Sequence, residues 1–523
     1  MTQIDLYDTT LRDGMQGTGI SYTLKDKIEI ALQLDNIGID YIEGGFPLAN
    51  EKEQAFFDAM KKQNLRNAKM VAFGSTRRPG QKASEDIHIK ALLEAETPTV
   101  IVVGKTWLAH VDKVIQTSPE ENLEMVFDSI NTLQKEGREV FLDLEHFFDG
   151  YMDNKEYALK VLQTATQAGA ANLVLCDTNG GTLPFQVESI MEELSTYELA
   201  PLGGHFHNDT GCAVANSLSA IRKGAVQLQG TINGWGERCG NANLCSIIPN
   251  ITLKLPEYYT SMDQKLSQLT NLSRFVSEKA NIFPDKRQPY VGVAAFSHKA
   301  GQHVDVINKA ARLMEHIDSS KVGNERKILL SELAGKSTIV DKLSHYGDYT
   351  KDSPEVNKLI SLLKKKEKEG YEYEAAEASF EMLILKTLGQ YNSLFDLNNY
   401  HLESFKTGEG SSKTVGRIFL HSHGKQHMGA ATGIGPVGTL DKCLRDALGE
   451  FYPFIKDISL IDYKVRVLNP EKDAAQGKVR VFVTSSDKHS SWDTVGVHQN
   501  IVEASWEALV DSFEYYYNKR AKV

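Results

Sequence analysis

Eight short β-rich runs, each followed by a stretch of helical periodicity, recur at roughly thirty-residue intervals up to about residue 255. This alternation constrains the fold more than any other feature of the chain. The runs are IDLYD (4–8), DYIEG (40–44), MVAFG (70–74), TVIVVG (99–104), VFLDLE (140–145), NLVLCD (172–177), LGGHFH (202–207) and AVQLQGT (225–231). Between them lie amphipathic stretches. In KDKIEIALQLDNIG, Ile28, Ala31, Leu32 and Ile37 sit near helical spacing and Gly38 ends the turn. Eight such units predict an α/β fold closed into a (β/α)₈ barrel, with an open doubly wound sheet as the alternative.

The polar motifs are not scattered over this frame. Arg12 and Asp13, Glu43, Glu145, Asp177 and Thr178, His205 and His207, and the loop from Asn233 to Asn241 all fall at or just past strand C-termini. In a barrel that rim is where catalytic residues collect. Side chains at i and i+2 of a strand share a face, so His205 and His207 can aim at one ion. Asp13, arriving from the first strand, adds a hard oxygen. Two nitrogens and a carboxylate with open positions make a Lewis-acid site. The plainer reading is two histidines hydrogen-bonded in a polar barrel mouth.

Arg12 adjoins Asp13, and in a loop both can approach one ligand. A guanidinium there stabilises an oxyanion developing on a substrate; a buried Arg–Asp pair is the alternative. The glycine-dense NGWGERCGNAN (233–243) offers an Asn carbonyl as a further ligand, or only a turn with a helix cap. Glu237 and Arg238 read best as a structural ion pair. Glu145 suits proton transfer if its surroundings are partly apolar, and a rim salt bridge or support of a metal ligand otherwise. Thr178 offers a hydroxyl to a substrate carboxylate, or caps a helix.

A net charge of -11 without a basic tract argues against a general nucleic-acid or anionic-membrane binder. Five scattered cysteines do not read as a disulfide framework, and Cys239 and Cys245 are spaced too widely for a zinc knuckle; small buried residues are expected. The start, MTQIDLYDTT, carries an acid at once and runs into a strand, and no apolar run of spanning length follows, so a cytoplasmic location is expected. After about 275 the pattern turns mostly helical. KKKEKEGYEYEAAEAS (364–379) reads as a solvated helix with a glycine break, and HLESFKTGEGSSKTVG (401–416) as a Gly/Ser-rich boundary. Beyond it, VGRIFLHSHG, LIDYKVRVLNP and GKVRVFVTSSD read as strands, and DKCLRDAL and NIVEASWEALVDSFEYYY as helices, of a separate α+β domain.

TTLRDGMQ, YIEGGFP, LCDTNGG, HFHNDTG and NGWGERCGNANL, in this order, resemble the barrel metalloenzymes that include isopropylmalate synthase, homocitrate synthase and hydroxymethylglutaryl-CoA lyase. The resemblance continues through FSHKAGQHVDVINKA, VGNERKILLSELAGKS and GPVGTLDKCLRDAL. EHFFDGY (145–151), STRRPG (75–80) and VGVHQNIVEASWEALVDSFEY look most like the citramalate synthase branch. It implies a catalytic barrel at 1–275, a helical linker subdomain at 276–395 that completes the site, and a regulatory domain at 396–523. It further implies condensation of acetyl-CoA with pyruvate. The matching positions make Asp13, His205 and His207 ligands of a divalent metal (Mg²⁺ or Mn²⁺, with Zn²⁺ as alternative), and Asn241 a further or nearby ligand. Arg12 would hold the alkoxide, Thr178 the keto-acid carboxylate, Glu145 a place between substrate and thioester, and His303 would assist deprotonation of acetyl-CoA. A homodimer, with isoleucine as feedback effector, belongs to the same implication. Asp143 stands where other members of the branch can carry an aromatic residue. The competing readings are an isopropylmalate-type synthase using a bulkier 2-keto acid, an acyl-CoA lyase, and a non-catalytic amino-acid sensor.

Overall fold

The computed structural model describes residues 1–299, 306–307, 309–328, 335–406, 408, 410, 412–468, 477–487 and 490–520. Contacts divide the chain into two compact units: residues 1–296 with 317–326, and residues 297–316 with 327–523.

In the first unit all eight expected runs are strands: β1 Asp5–Asp8, β2 Tyr41–Gly45, β3 Lys69–Ser75, β4 Thr99–Lys105, β5 Glu139–Glu145, β6 Asn172–Asp177, β7 Leu202–Phe206 and β8 Gln227–Gly230. They pair in parallel in chain order, and β1 pairs with β8 (Asp5 opposite Gln227), closing the barrel. The helices that return the chain are α1 Leu24–Ile37, α2 Glu51–Met60, α3 Ile87–Glu94, α4 Pro119–Lys135, α5 Lys155–Ala168, α6 Pro184–Leu194, α7 Ala213–Arg222 and α8 Leu244–Lys254. α1 starts in a capping box in which Thr23 and Asp26 satisfy each other's backbone N–H, and it stops at Gly38, whose φ of 98° suits glycine. Another helix, α9 Leu269–Ala280, follows.

The barrel interior changes chemistry from one layer to the next. Tyr7, Tyr41, Val71, Ile101, Phe141 and Val174 form an apolar plug. Two residues further along their strands stand Glu43, Phe73, Val103, Asp143 and Cys176, and period-two alternation aims these into the same interior. The plug closes the bottom, and polar groups begin directly above it.

In the second unit, α10 Lys336–Leu343, α11 Pro354–Glu369 and α12 Glu377–Leu388 precede six strands, β9 Asp396–Lys406, β10 Ser412–Ser422, β11 Lys425–Gly433, β12 Ser459–Leu468, β13 Lys478–Ser486 and β14 Ser491–His498. These form two antiparallel three-stranded sheets. Helix α13 Pro436–Leu448 buries Leu440, Cys443 and Leu444 with Ile418 and Leu420 of β10, and α14 Ile501–Arg520 buries Ala504, Ala508 and Leu509 with Val481 and Val483 of β13. The charged run does break at Gly370, after α11. Two points of the sequence reading need correction. The stretch 401–416 is no boundary: its ends lie in β9 and β10, paired over ten residue positions. β11 and β14 were also missing from the sequence reading, because neither contains a long apolar run. Within the mostly helical region, Ser297–His298 of FSHK form a two-residue strand paired with Lys327–Ile328. Among the described residues no helix is long and apolar enough to cross a membrane.

Candidate active site

The turn after β1 is built by its own polar side chains. Thr10 donates from its N–H and its hydroxyl to the Asp8 carboxylate, and Thr10 Oγ1 accepts the Ile232 N–H at 2.8 Å. The N–H groups of Arg12 and Gly14 both donate to Thr9 O. Arg12 and Asp13 therefore lie in a tight loop, and both line one cavity of about 230 Å³ with Glu145, Thr178, His205 and His207.

Asp13, His205 and His207 converge. Asp13 Oδ2 is 3.3 Å from His205 Nε2 and 3.8 Å from His207 Nε2, and the two Nε2 atoms are 3.3 Å apart. Donors each bound ~2.1 Å from one cation stand ~3.0–3.4 Å apart; two of the three separations lie in that range and the third is somewhat longer, a triangle that suits a shared ion. All three residues are buried. Asp13 Oδ1 and Asn241 Oδ1 are buried without a hydrogen-bond partner in the protein, an arrangement that a bound ion and its waters would repair. Asn241 bridges His207 across the backbone. It is held there by a loop that needs its glycines: a Cβ on Gly236 would lie 2.1 Å from Asn241 Nδ2, and one on Gly240 2.1 Å from Gly234 O. The helix cap expected in this loop is also present, in Asn243, whose side chain accepts the Cys245 N–H. The donor set fits a divalent cation.

The electrostatics match. Burial pushes the Asp13 carboxyl up, but Arg12, His205 and His207 together hold it well below the usual range. Burial, then the neighbouring His205 and Arg238, pushes the His207 imidazole down to about 4 against the pull of Asp13, keeping the ring neutral with one nitrogen free to ligate. Arg12 is gripped by Glu43, which also accepts from Tyr7 Oη at 2.6 Å and Thr9 Oγ1 at 3.2 Å. The guanidinium lies 4.1 Å over the Phe73 ring, and its Nη1 is 3.5 Å from Asp13 Oδ2. Burial opposes its charge, yet Glu43 and Asp13 more than compensate, so it stays firmly cationic.

Glu145 lines the cavity and is paired with Lys105, which is the rim salt bridge of the plainer expectation. Thr178 accepts the His146 N–H at 2.8 Å, which leaves its hydroxyl proton to donate. Arg238 pairs chiefly with Asp209, in two bonds of 2.9 and 3.0 Å; Glu237 is a secondary partner at 3.5 Å and opens on the cavity. Cys245 is buried as expected, but Cys239 is exposed. His303 lies outside the described residues. Sequence reasoning missed the grip of Glu43, the partner Lys105, and Gln229, which contacts His205. The signal for Gln229 was the Gln-x-Gln of β8, two polar residues on one strand face.

The chain belongs to a family of condensing enzymes: the HMGL-like family matches residues 3–276, the homocitrate synthase post-HMGL domain-like family residues 290–370, and the LeuA allosteric (dimerisation) domain residues 374–517. The chain is 49% identical over 98% of its length to the (R)-citramalate synthase of Aquifex aeolicus, covering 97% of that protein. It is 47% identical over its whole length to that of Geobacter sulfurreducens, covering 99% of it. An HMG-CoA lyase structure from Bacillus subtilis aligns with a TM-score of 0.46 at 22% identity, over 54% of this chain and 95% of that one. The chain is an enzyme of the HMGL-like family and belongs, within it, to the (R)-citramalate synthases.

Proposed function

We propose that this enzyme joins the methyl carbon of acetyl-CoA to the keto carbon of pyruvate and hydrolyses the thioester, giving citramalate and free CoA. The observation that carries this reading is one cavity holding three convergent metal donors beside a fixed arginine. A divalent cation held by Asp13, His205, His207 and Asn241 would polarise the keto group and orient its oxygens. Mg²⁺ or Mn²⁺ suits this mixed donor set, with Zn²⁺ as the alternative.

Arg12, immobilised by Glu43 and Phe73, hydrogen-bonds the keto oxygen as it becomes an alkoxide. The hydroxyl of Thr178 donates to the keto-acid carboxylate. Glu145 stands between the keto acid and the thioester, with Lys105 holding its carboxylate. His303, by the family resemblance, takes the methyl proton of acetyl-CoA. Residues 1–275 then serve as the catalytic barrel, 276–395 as the helical subdomain that completes the site of a partner copy, and 396–523 as the regulatory domain. The active form is a homodimer inhibited by isoleucine, working in the cytoplasm.

The test is the initial rate of CoA thiol release from acetyl-CoA with pyruvate, 2-ketobutyrate or 2-ketoisovalerate, each with and without divalent metal. Metal-dependent release that prefers pyruvate is expected. Preference for 2-ketoisovalerate would move the enzyme to the isopropylmalate branch, and no release with any keto acid would sink the condensing function.

A further inference from the structure

We infer that Gln229 and Asp143 are positioning residues that decide which nitrogen of His205 is free to bind a cation. The inference rests on the reading of His205 as a metal ligand but concerns residues given no part in it. A neutral imidazole carries its proton on one nitrogen, and only the other can ligate. His205 Nδ1 lies 2.9 Å from Gln229 Oε1, while its Nε2 faces Asp13 and His207. A glutamine amide can turn either end toward a ring, so the bond to His205 does not by itself settle the proton. The second contact settles it.

Gln229 Nε2 lies 3.2 Å from Asp143 Oδ1. An ionised carboxylate only accepts hydrogen bonds, so the amide NH₂ must face Asp143 and its carbonyl must face His205. The Nδ1 atom then carries a proton, which leaves Nε2 as the nitrogen that faces Asp13 and His207 and can ligate. All three side chains are buried, Gln229 completely, so water cannot substitute for either bond. The relay crosses the barrel interior from β5 to β8 to β7, which locks the ring as well as its tautomer. Outer partners of this kind change metal affinity by ~10–100-fold.

Two readouts test this at about pH 8, above the Asp143 carboxyl, which burial pushes up to about 7. The first is the ¹⁵N spectrum of histidine-labelled, metal-free enzyme, with His205→Ala to assign the ring. The Nδ1–H form is expected in the wild type and its loss in Gln229→Leu. The second is Mn²⁺ affinity by titration calorimetry. Gln229→Leu is expected to weaken it ~10–100-fold. The paired variant Asp143→Asn with Gln229→Glu keeps an acceptor facing His205 Nδ1 and reverses the second bond, with residue 143 now donating to residue 229, and is expected to bind within about threefold of wild type. An Nε2–H ring in the wild type, or Mn²⁺ binding in Gln229→Leu equal to wild type, would overturn the inference. Should Gln229→Leu fail to fold, the paired variant decides, and a loss of about tenfold or more in it counts against the relay. A wild type with the Nδ1–H ring that binds no Mn²⁺ upholds the relay while removing the metal reading of the site.

Discussion

Asp13 Oδ2 and His205 Nε2 stand 3.3 Å apart, although 192 residues separate them and they leave different strands of the barrel. Their contact puts a carboxylate oxygen and a ring nitrogen at the separation of two ligands on one ion. Replacing His205 by alanine removes one donor above the apolar plug without opening the plug itself. The expected result is loss of Mn²⁺ binding and a fall in CoA release of more than about 100-fold, with an unchanged far-ultraviolet spectrum. An active, metal-binding His205→Ala enzyme would refute the assignment.

Arg12 depends on shape as well as charge. Its planar fork reaches Glu43 and Asp13 while its face rests on Phe73. Lysine keeps the charge but cannot make the fork. Arg12→Lys is expected to lower kcat by ~10²-fold, since one oxyanion donor has that worth, with a smaller change in KM for acetyl-CoA. Steady-state kinetics with pyruvate saturating decides it; a kcat within about threefold of wild type would contradict the role.

Lys27 supports the same rim from behind. It is fully buried and donates to both oxygens of Glu53 and to Gly44 O, each at 2.7 Å, beside the backbone that carries Glu43. Removing one partner strands a buried charge, so Lys27→Met is expected to cost ~3–5 kcal/mol. Lys27→Met with Glu53→Leu should recover most of that loss. Urea unfolding of the three proteins measures it, and additive losses in the double variant would show the pair to be uncoupled.

Asp8 predicts a pH dependence. Burial pushes its carboxyl up to about 7, against the bonds from Thr10. Its folded value exceeds the unfolded value of about 4, so the folded protein holds the proton more tightly. The stability it contributes is fully present below about pH 4 and is lost as pH rises through about 7. Asp8→Asn is expected to flatten the decline in Tm between about pH 5 and 8 in metal-free enzyme. Parallel Tm profiles for the two proteins would exclude Asp8 as the titrating group.

Much of the site was legible before any tertiary structure. His205 and His207 announced themselves by strand parity, and the placement of TTLRDG, LCDTNGG and HFHND at strand ends marked one rim. Glu145 was legible as a rim carboxylate, but its partner Lys105 was not, because the two come from neighbouring strands paired forty residues apart. The hairpin of β9 and β10 was hidden by the Gly/Ser-rich stretch at its tip, whose composition argued for a boundary while the pairing lay on either side of it.

The sequence by itself determined the order and period of the barrel units and the two-histidine face, because these depend on local periodicity and on spacing within a strand; the family came from the resemblance of its motifs. The tertiary structure alone decided which other groups meet inside the barrel: Glu43 with Arg12, Lys105 with Glu145, and Gln229 with both His205 and Asp143. Closure of the sheet brings β1 against β8 and turns separate strand ends into one ring. The partners of a buried charge or amide follow from that closure, and no local pattern records them.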